Sequence, residues 1–135
     1  MLESRPRSDA HDEVDRIVEW TLRAILALVF MEAGVGKFSD DPQSGWVRLF
    51  AEAGWRDELR YASGVLEVLG SVALLVPATT SLAVLSLGVT MIGAVVFHIF
   101  ARHDPFSSLI PAALLLGVAF IGCERRERLL RRSGH

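Results

Sequence analysis

The 135 residues are 51% hydrophobic with a mean hydropathy of +0.37, a balance that leaves too little polar surface for a soluble domain of this length. The formal net charge is −2, yet Arg125, Arg126, Arg128, Arg131 and Arg132 crowd into the last eleven positions. Five arginines behind an apolar run read as a membrane anchor rather than a nucleic-acid tail, and the single Cys123 excludes an intramolecular disulfide or a CxxC redox pair.

In chain order, residues 1–16 form a polar cytoplasmic tail. Glu3, Asp9, Asp12, Glu13 and Asp15 are the opposite of a secretory n-region, so no cleaved signal is expected. Four apolar segments follow, at about 17–38, 59–76, 81–100 and 106–123, and together make a membrane domain over 17–123. Each is close to the ~20 residues a helix needs to cross ~30 Å of hydrocarbon. Pro77 stops the second and Pro111 sits in the first turns of the fourth, where a missing N–H costs least. Residues 124–135 are an arginine-rich cytoplasmic tail, and Cys123 at the last apolar boundary reads as a small buried hydrophobe. The predicted fold is therefore all-α: a four-transmembrane-helix bundle.

The connections differ in kind. Pro77–Thr80 is so short that the second and third segments must be antiparallel neighbours, and 101–105 is nearly as short. The first connection, about 39–58, is long. Trp46, Leu49, Phe50 and Ala53 fit one helical face, and Trp55 closes the stretch, which predicts a short amphipathic helix lying in the headgroup layer. With four spans, Arg5, Arg7, Arg16 and the five tail arginines share one side, against Arg48, Arg56, Arg60, Arg102 and Lys37 on the other. That bias places both termini in the cytoplasm.

Charges inside the spans carry the functional signal, because unpaired charge in hydrocarbon is costly and such groups face each other or a wet cavity. The first segment holds Glu19, Arg23, Glu32 and Lys37, the second Glu67 and the third His98. At ~1.5 Å per residue, Glu67 lies about 12 Å and His98 about 5 Å below the outer surface, with Lys37 at the boundary and Arg23 deeper. At ~100° per residue, Arg23 and Lys37 share a face of the first helix and Glu32 lies roughly opposite. Glu67 is thus the expected partner of both cations, and Glu32 looks toward the fourth helix or another subunit. Ser86, Thr90, Ala94 and His98 form one small polar stripe, and Ser63, Glu67 and Ser71 another. The candidate ligand-binding residues are Arg23, Glu32, Lys37, Glu67 and His98. The competing view is that buried ion pairs merely fix helix register.

Several chemistries drop out. Bis-histidine haem needs a second histidine in a span, and His98 and His103 are poorly spaced for a metal site. Gly34-Val35-Gly36-Lys37 lacks the length of a phosphate loop, and no Ser–His–Asp order emerges.

Arg23, the run Gly34-Val35-Gly36-Lys37-Phe38, the linker residues Trp46, Phe50 and Gly54, the run Gly64-Val65-Leu66-Glu67-Val68-Leu69-Gly70, then Leu74-Leu75-Val76-Pro77 and Met91-Ile92-Gly93-Ala94 followed by His98 make an ordered pattern over about 17–122. This pattern resembles the DoxX-like family of bacterial integral membrane proteins. The resemblance implies a four-helix fold in the bacterial cytoplasmic (inner) membrane. It places Arg23, Lys37 and Glu67 on the family's characteristic polar positions, and it suggests a link to thiosulfate:quinone oxidation or to membrane redox and stress-defence complexes. Without a cysteine pair, a redox role requires a bound quinone or a redox partner enzyme.

Two functions are therefore expected. One is a membrane subunit of a redox or detoxification system with a quinone-type ligand cavity beneath the outer leaflet. The other is a non-enzymatic scaffold or assembly factor whose arginine tail meets anionic lipid or a soluble partner. A small-solute or proton carrier would need more polar residues toward the inner side than Glu19 and Arg23. Partners are the lipid bilayer and, since Gly- and Ala-rich helices allow it, a second copy in a homodimer; no nucleic acid is expected.

Overall fold

The computed structural model describes residues 6–100 and 106–133, with side chains over 10–100 and 106–131. The 101–105 connection with Arg102 and His103, the first five residues with Arg5, the side chains of Arg7 and Arg132, and residues 134–135 lie outside the described residues. All regular secondary structure among the described residues is helical. Helix α1 spans Pro6–Gly36, α2 Gly45–Glu52, α3 Asp57–Leu75, α4 Thr80–Phe100 and α5 Leu109–Ser133, with a 3-10 turn at Pro77–Thr79.

Two helices outrun their apolar segments. α1 starts at Pro6, a residue suited to the first helical position, so the polar segment ahead of Ile17 is helical. α5 continues through the arginine tail, where Glu124 and Arg128 stand one turn apart at 3.8 Å.

α1 packs on α3, α3 on α4 and α4 on α5, while α5 returns to touch α1. One core joins the four long helices: Leu26 and Phe30 of α1, Leu74 of α3, Leu87 and Met91 of α4, and Val118 and Ile121 of α5. The α1–α3 contact is tightest where Gly34 meets Gly64, since a Cβ on either would fall about 3 Å from the other's carbonyl oxygen. Such close approach is how helices gain packing where apolar burial gives no drive.

Apolar side chains also cover the outside. Leu28 of α1, Leu69 of α3, Leu85 of α4 and Leu116 of α5 are 62–72% exposed. Cys123 is exposed as well, which corrects the expectation of a buried residue; it lies on the outward side of α5, two positions from the buried Ile121. Among the described residues, one helical stretch, 77–100, is long and apolar enough by length and composition to cross a membrane. α3 opens on Asp57 and Glu58, and within their apolar segments α1 and α3 carry Glu19, Arg23, Glu32, Arg60 and Glu67. Four of those five side chains are buried, with Glu32 the exception.

The α3–α4 turn shows how buried helix ends are satisfied. Thr79 donates its hydroxyl to the carbonyl of Ala73 (2.9 Å) and Thr80 donates to those of Val76 and Pro77. Carbonyls left bare at a helix C-terminus are costly away from water.

Candidate functional site

At the end of the protein where α1 stops, α3 begins and α4 finishes, a cavity of about 640 Å³ opens between the helices. Its size lies in the range of small-molecule sites, and its wall is mostly apolar with a few convergent polar groups. Lys37 enters from the end of α1, Glu67 from the middle of α3 and His98 from the last turn of α4. Lys37 Nζ donates to Glu67 Oε1 at 2.5 Å, with both residues at most 5% exposed. The Lys37 ammonium also lies 4.6 Å from the centre of the Trp46 ring, a cation–π contact. Glu67 Oε2 is buried and has no hydrogen-bond partner among the described residues.

α2 forms part of the wall. Gly54 adopts φ +68°, and the N–H of Trp55 reaches back to the carbonyl of Phe50 (3.0 Å), a glycine-dependent helix ending. That reversal sets the Trp55 ring edge-to-face with Phe50 (5.7 Å) and tilted against Phe97 of α4 (4.9 Å). The predicted amphipathic helix therefore exists, and its apolar side, with Phe50 buried, closes over the cavity. The two polar stripes also point here: Thr90, Ala94 and His98 line the cavity from α4, and Ser63 and Glu67 from α3. Ser71 turns away to Val68 O (2.7 Å), and Ser86 donates to Leu66 O (3.1 Å).

Three of the five candidate residues, Lys37, Glu67 and His98, thus share one cavity, and two do not. Glu32 is exposed on the outer side of α1 and is absent from the cavity wall. Arg23 lies at the opposite end, buried, and its expected pairing with Glu67 is not formed. Its Nε and Nη2 bind Glu19 Oε1 (3.1 and 2.6 Å), while Nη1 donates to Leu74 O (3.2 Å) and Thr80 Oγ1 (2.9 Å). A carboxylate one turn away and a bare carbonyl at the end of α3 offer Arg23 everything its planar fork needs.

Arg60, counted from the sequence only among the outer-side cations, is 2% exposed and mirrors Arg23 at the cavity end. Its guanidinium donates to the carbonyls of Lys37 and Ser39, the second at 2.6 Å, and contacts Asp57 Oδ1 at 3.2 Å. It thereby caps the C-terminus of α1 and fixes the backbone that carries Lys37. Phe38 stacks on Tyr61 (5.9 Å), and Tyr61 donates to Asp40 (2.5 Å), tying down the same corner. Arg60→Met leaves the buried carbonyl of Lys37 and the half-buried one of Ser39 bare and is expected to cost about 2–3 kcal/mol of stability. Thermal unfolding in detergent checks the cost, and faster amide exchange over residues 37–41 checks its location.

The sequence profile of the DoxX-like family matches residues 21–121, most of the chain and all of the cavity wall. The chain belongs to the DoxX-like family. It is accordingly a membrane protein, and the bilayer is its surrounding medium. No curated protein and no solved structure shows significant similarity to it. In this DoxX-like chain the matched segment holds both capping arginines and the Lys37–Glu67 pair. Among the described residues, no group of three or more His, Cys, Asp or Glu is placed to hold a metal ion.

Proposed function

We propose that this DoxX-like protein is a four-span membrane subunit of a redox or detoxification system. Its cavity takes a quinone-type ligand, an apolar molecule with a polar ring oxygen. The observation that carries the reading is the Lys37–Glu67 pair, buried in the wall of an apolar cavity of about 640 Å³. Four spans are supported by the distribution of side chains. Long apolar residues cover the outside of all four long helices, while Glu19, Arg23, Lys37, Arg60 and Glu67 are buried. That inversion suits lipid and is unfavourable in water. Both termini on the cytoplasmic side of a bacterial inner membrane follow the arginine bias.

The chemistry fits the ligand class. A ring carbonyl in a dry site gains from a cationic donor, and Lys37 keeps ammonium protons beyond the one given to Glu67. Trp46, Phe50, Trp55 and Phe97 supply flat surfaces for an aromatic ring. The second oxygen of Glu67 is an acceptor waiting for a donor, which the hydroxyl of a reduced ring would provide. A bound quinone would supply two-electron redox chemistry; the residues here bind its ring, orient its oxygens and hold a proton at Lys37 Nζ or Glu67. Arg23 and Glu32 have no part in this site.

The test is lipid extraction from protein purified in mild detergent, with mass spectrometry of the extract. Wild type is expected to retain quinone, and Lys37→Met to lose most of it. Absence of quinone from the wild type, together with no thermal shift on adding a short-chain quinone, contradicts the reading.

A further inference from the structure

The opposite end of the molecule holds a second cavity, of about 230 Å³, independent of the ligand site. Glu19, Trp20 and Arg23 of α1, Pro77 of the turn, and Arg125, Arg128 and Leu129 of α5 line it. Three guanidinium groups meet the Glu19 carboxylate in the wall and that of Glu124, 3.8 Å from Arg128, so the cavity carries an excess of one positive charge. Arg23 spends its donors on Glu19, Leu74 O and Thr80, and acts as a fixed buried charge. The two α5 arginines are less committed. Arg128 binds Glu19, and at 3.8 Å meets Glu124, through Nη2 alone, and its side chain is 53% exposed. Arg125 makes only long contacts, 3.3 Å to Ser81 Oγ and 3.5 Å to Ala78 O. Several of their guanidinium protons have no partner among the described residues.

We propose that this cavity binds a phosphate-bearing anion between Arg125 and Arg128, most naturally the headgroup phosphate of an anionic lipid. Glu19, itself held by the buried Arg23, anchors one guanidinium nitrogen of Arg128 at the cavity. Arginine forks match phosphate oxygens, and basic pockets between membrane helices at the headgroup level recognise anionic lipids. The rim favours a lipid source over a soluble one. Trp20 is 43% exposed with its ring 5.5 Å from the Arg23 guanidinium, and Leu129 is 51% exposed, so an acyl chain leaving the phosphate would meet apolar surface. A headgroup seated here would add to the Glu19–Arg128 link between α1 and α5, whose backbones approach less closely than those of the other packed pairs of long helices.

Native mass spectrometry of the full chain from nanodiscs of mixed phosphatidylglycerol and phosphatidylcholine tests this, with inorganic phosphate titrated in a parallel thermal-shift series. Preferential retention of phosphatidylglycerol is expected, weakened roughly thirtyfold in R125Q/R128Q by the loss of two charges and unchanged in R131Q, whose arginine lies outside the cavity. Saturable stabilisation by inorganic phosphate that R125Q/R128Q abolishes, without lipid preference, supports the site and assigns it a soluble phosphate. Should R125Q/R128Q fold poorly, R125Q alone, which breaks only the long contacts to Ser81 and Ala78, provides the second variant and is expected to weaken retention about fivefold. No preference for phosphatidylglycerol combined with no phosphate effect, or a preference that R131Q removes and R125Q/R128Q keeps, overturns the proposal.

Discussion

Replacing Lys37 by Met while Glu67 stays in place is expected to cost about 3–5 kcal/mol of stability, because it strands a buried carboxylate. The pair lies where neither member can turn to solvent: Glu67 is 1% exposed and Lys37 5%. Glu67→Met, which strands the ammonium instead, should cost a similar amount. The Lys37→Met/Glu67→Met double variant should recover most of the loss, since apolar residues of similar volume often replace a buried pair without penalty. Thermal or denaturant unfolding in one detergent measures all three variants and gives the coupling energy. The same double variant separates architecture from binding. If the pair only sets helix register, the stable double variant retains any co-purifying ligand. If the pair is the polar centre of the site, the double variant is stable and empty.

Gly64→Val is expected to be the most damaging single change outside the ion pair. A Cβ at Gly64 falls 2.9 Å from Gly34 O and 3.2 Å from Lys37 Cβ, and a Cβ at Gly34 falls 3.0 Å from two backbone atoms of α3. Backbone cannot rotate away as a side-chain tip can, so α1 and α3 must separate. Even Gly64→Ala should cost about 1–3 kcal/mol from overpacking, and the branched valine more. The separation acts directly on function, because Gly64 sits one turn before Glu67 and packs against Lys37 itself. Gly88 is the control. Nothing lies within 4 Å of a Cβ there, so Gly88→Ala should be neutral or stabilise by up to about 1 kcal/mol through helix propensity. Equal effects at Gly64 and Gly88 would deny the close α1–α3 crossing.

The contrast between Lys37 and Arg23 shows what the sequence could and could not reveal. Helical rotation correctly put Lys37 toward Glu67, and the four-residue stripes on α3 and α4 correctly pointed Ser63, Glu67, Thr90 and His98 at a common space. Rotation also put Glu32 on the far side of α1, where it is exposed. Arg23 shares the face of Lys37 and yet belongs to the other end. Side-chain patterns do not show where a neighbouring helix leaves its last carbonyls bare, and for Arg23 that demand, together with Glu19 one turn away, outweighs a distant carboxylate. Arg60 escaped notice for the same reason: its partners are the carbonyls of Lys37 and Ser39. The apolar side of α2 was legible from Trp46, Leu49 and Phe50, but its closure over the cavity depends on the reversal at Gly54. The full helical extensions back to Pro6 and through the arginine tail were hidden because both stretches are mostly polar, with Val14 and the Leu129-Leu130 pair isolated and no apolar period.

The most direct test of the ligand site uses its own tryptophans. Trp46 and Trp55 line the large cavity, whereas Trp20 lies at the opposite end beside Arg23. Titrating a short-chain quinone into detergent-solubilised protein and following tryptophan emission should give saturable quenching in the Trp20→Phe variant. Only weak, linear quenching should appear in Trp46→Phe/Trp55→Phe, where Trp20 alone reports. Identical linear quenching in both variants would mean that the quinone merely dissolves in the micelle, and that the cavity around Lys37 and Glu67 does not bind it.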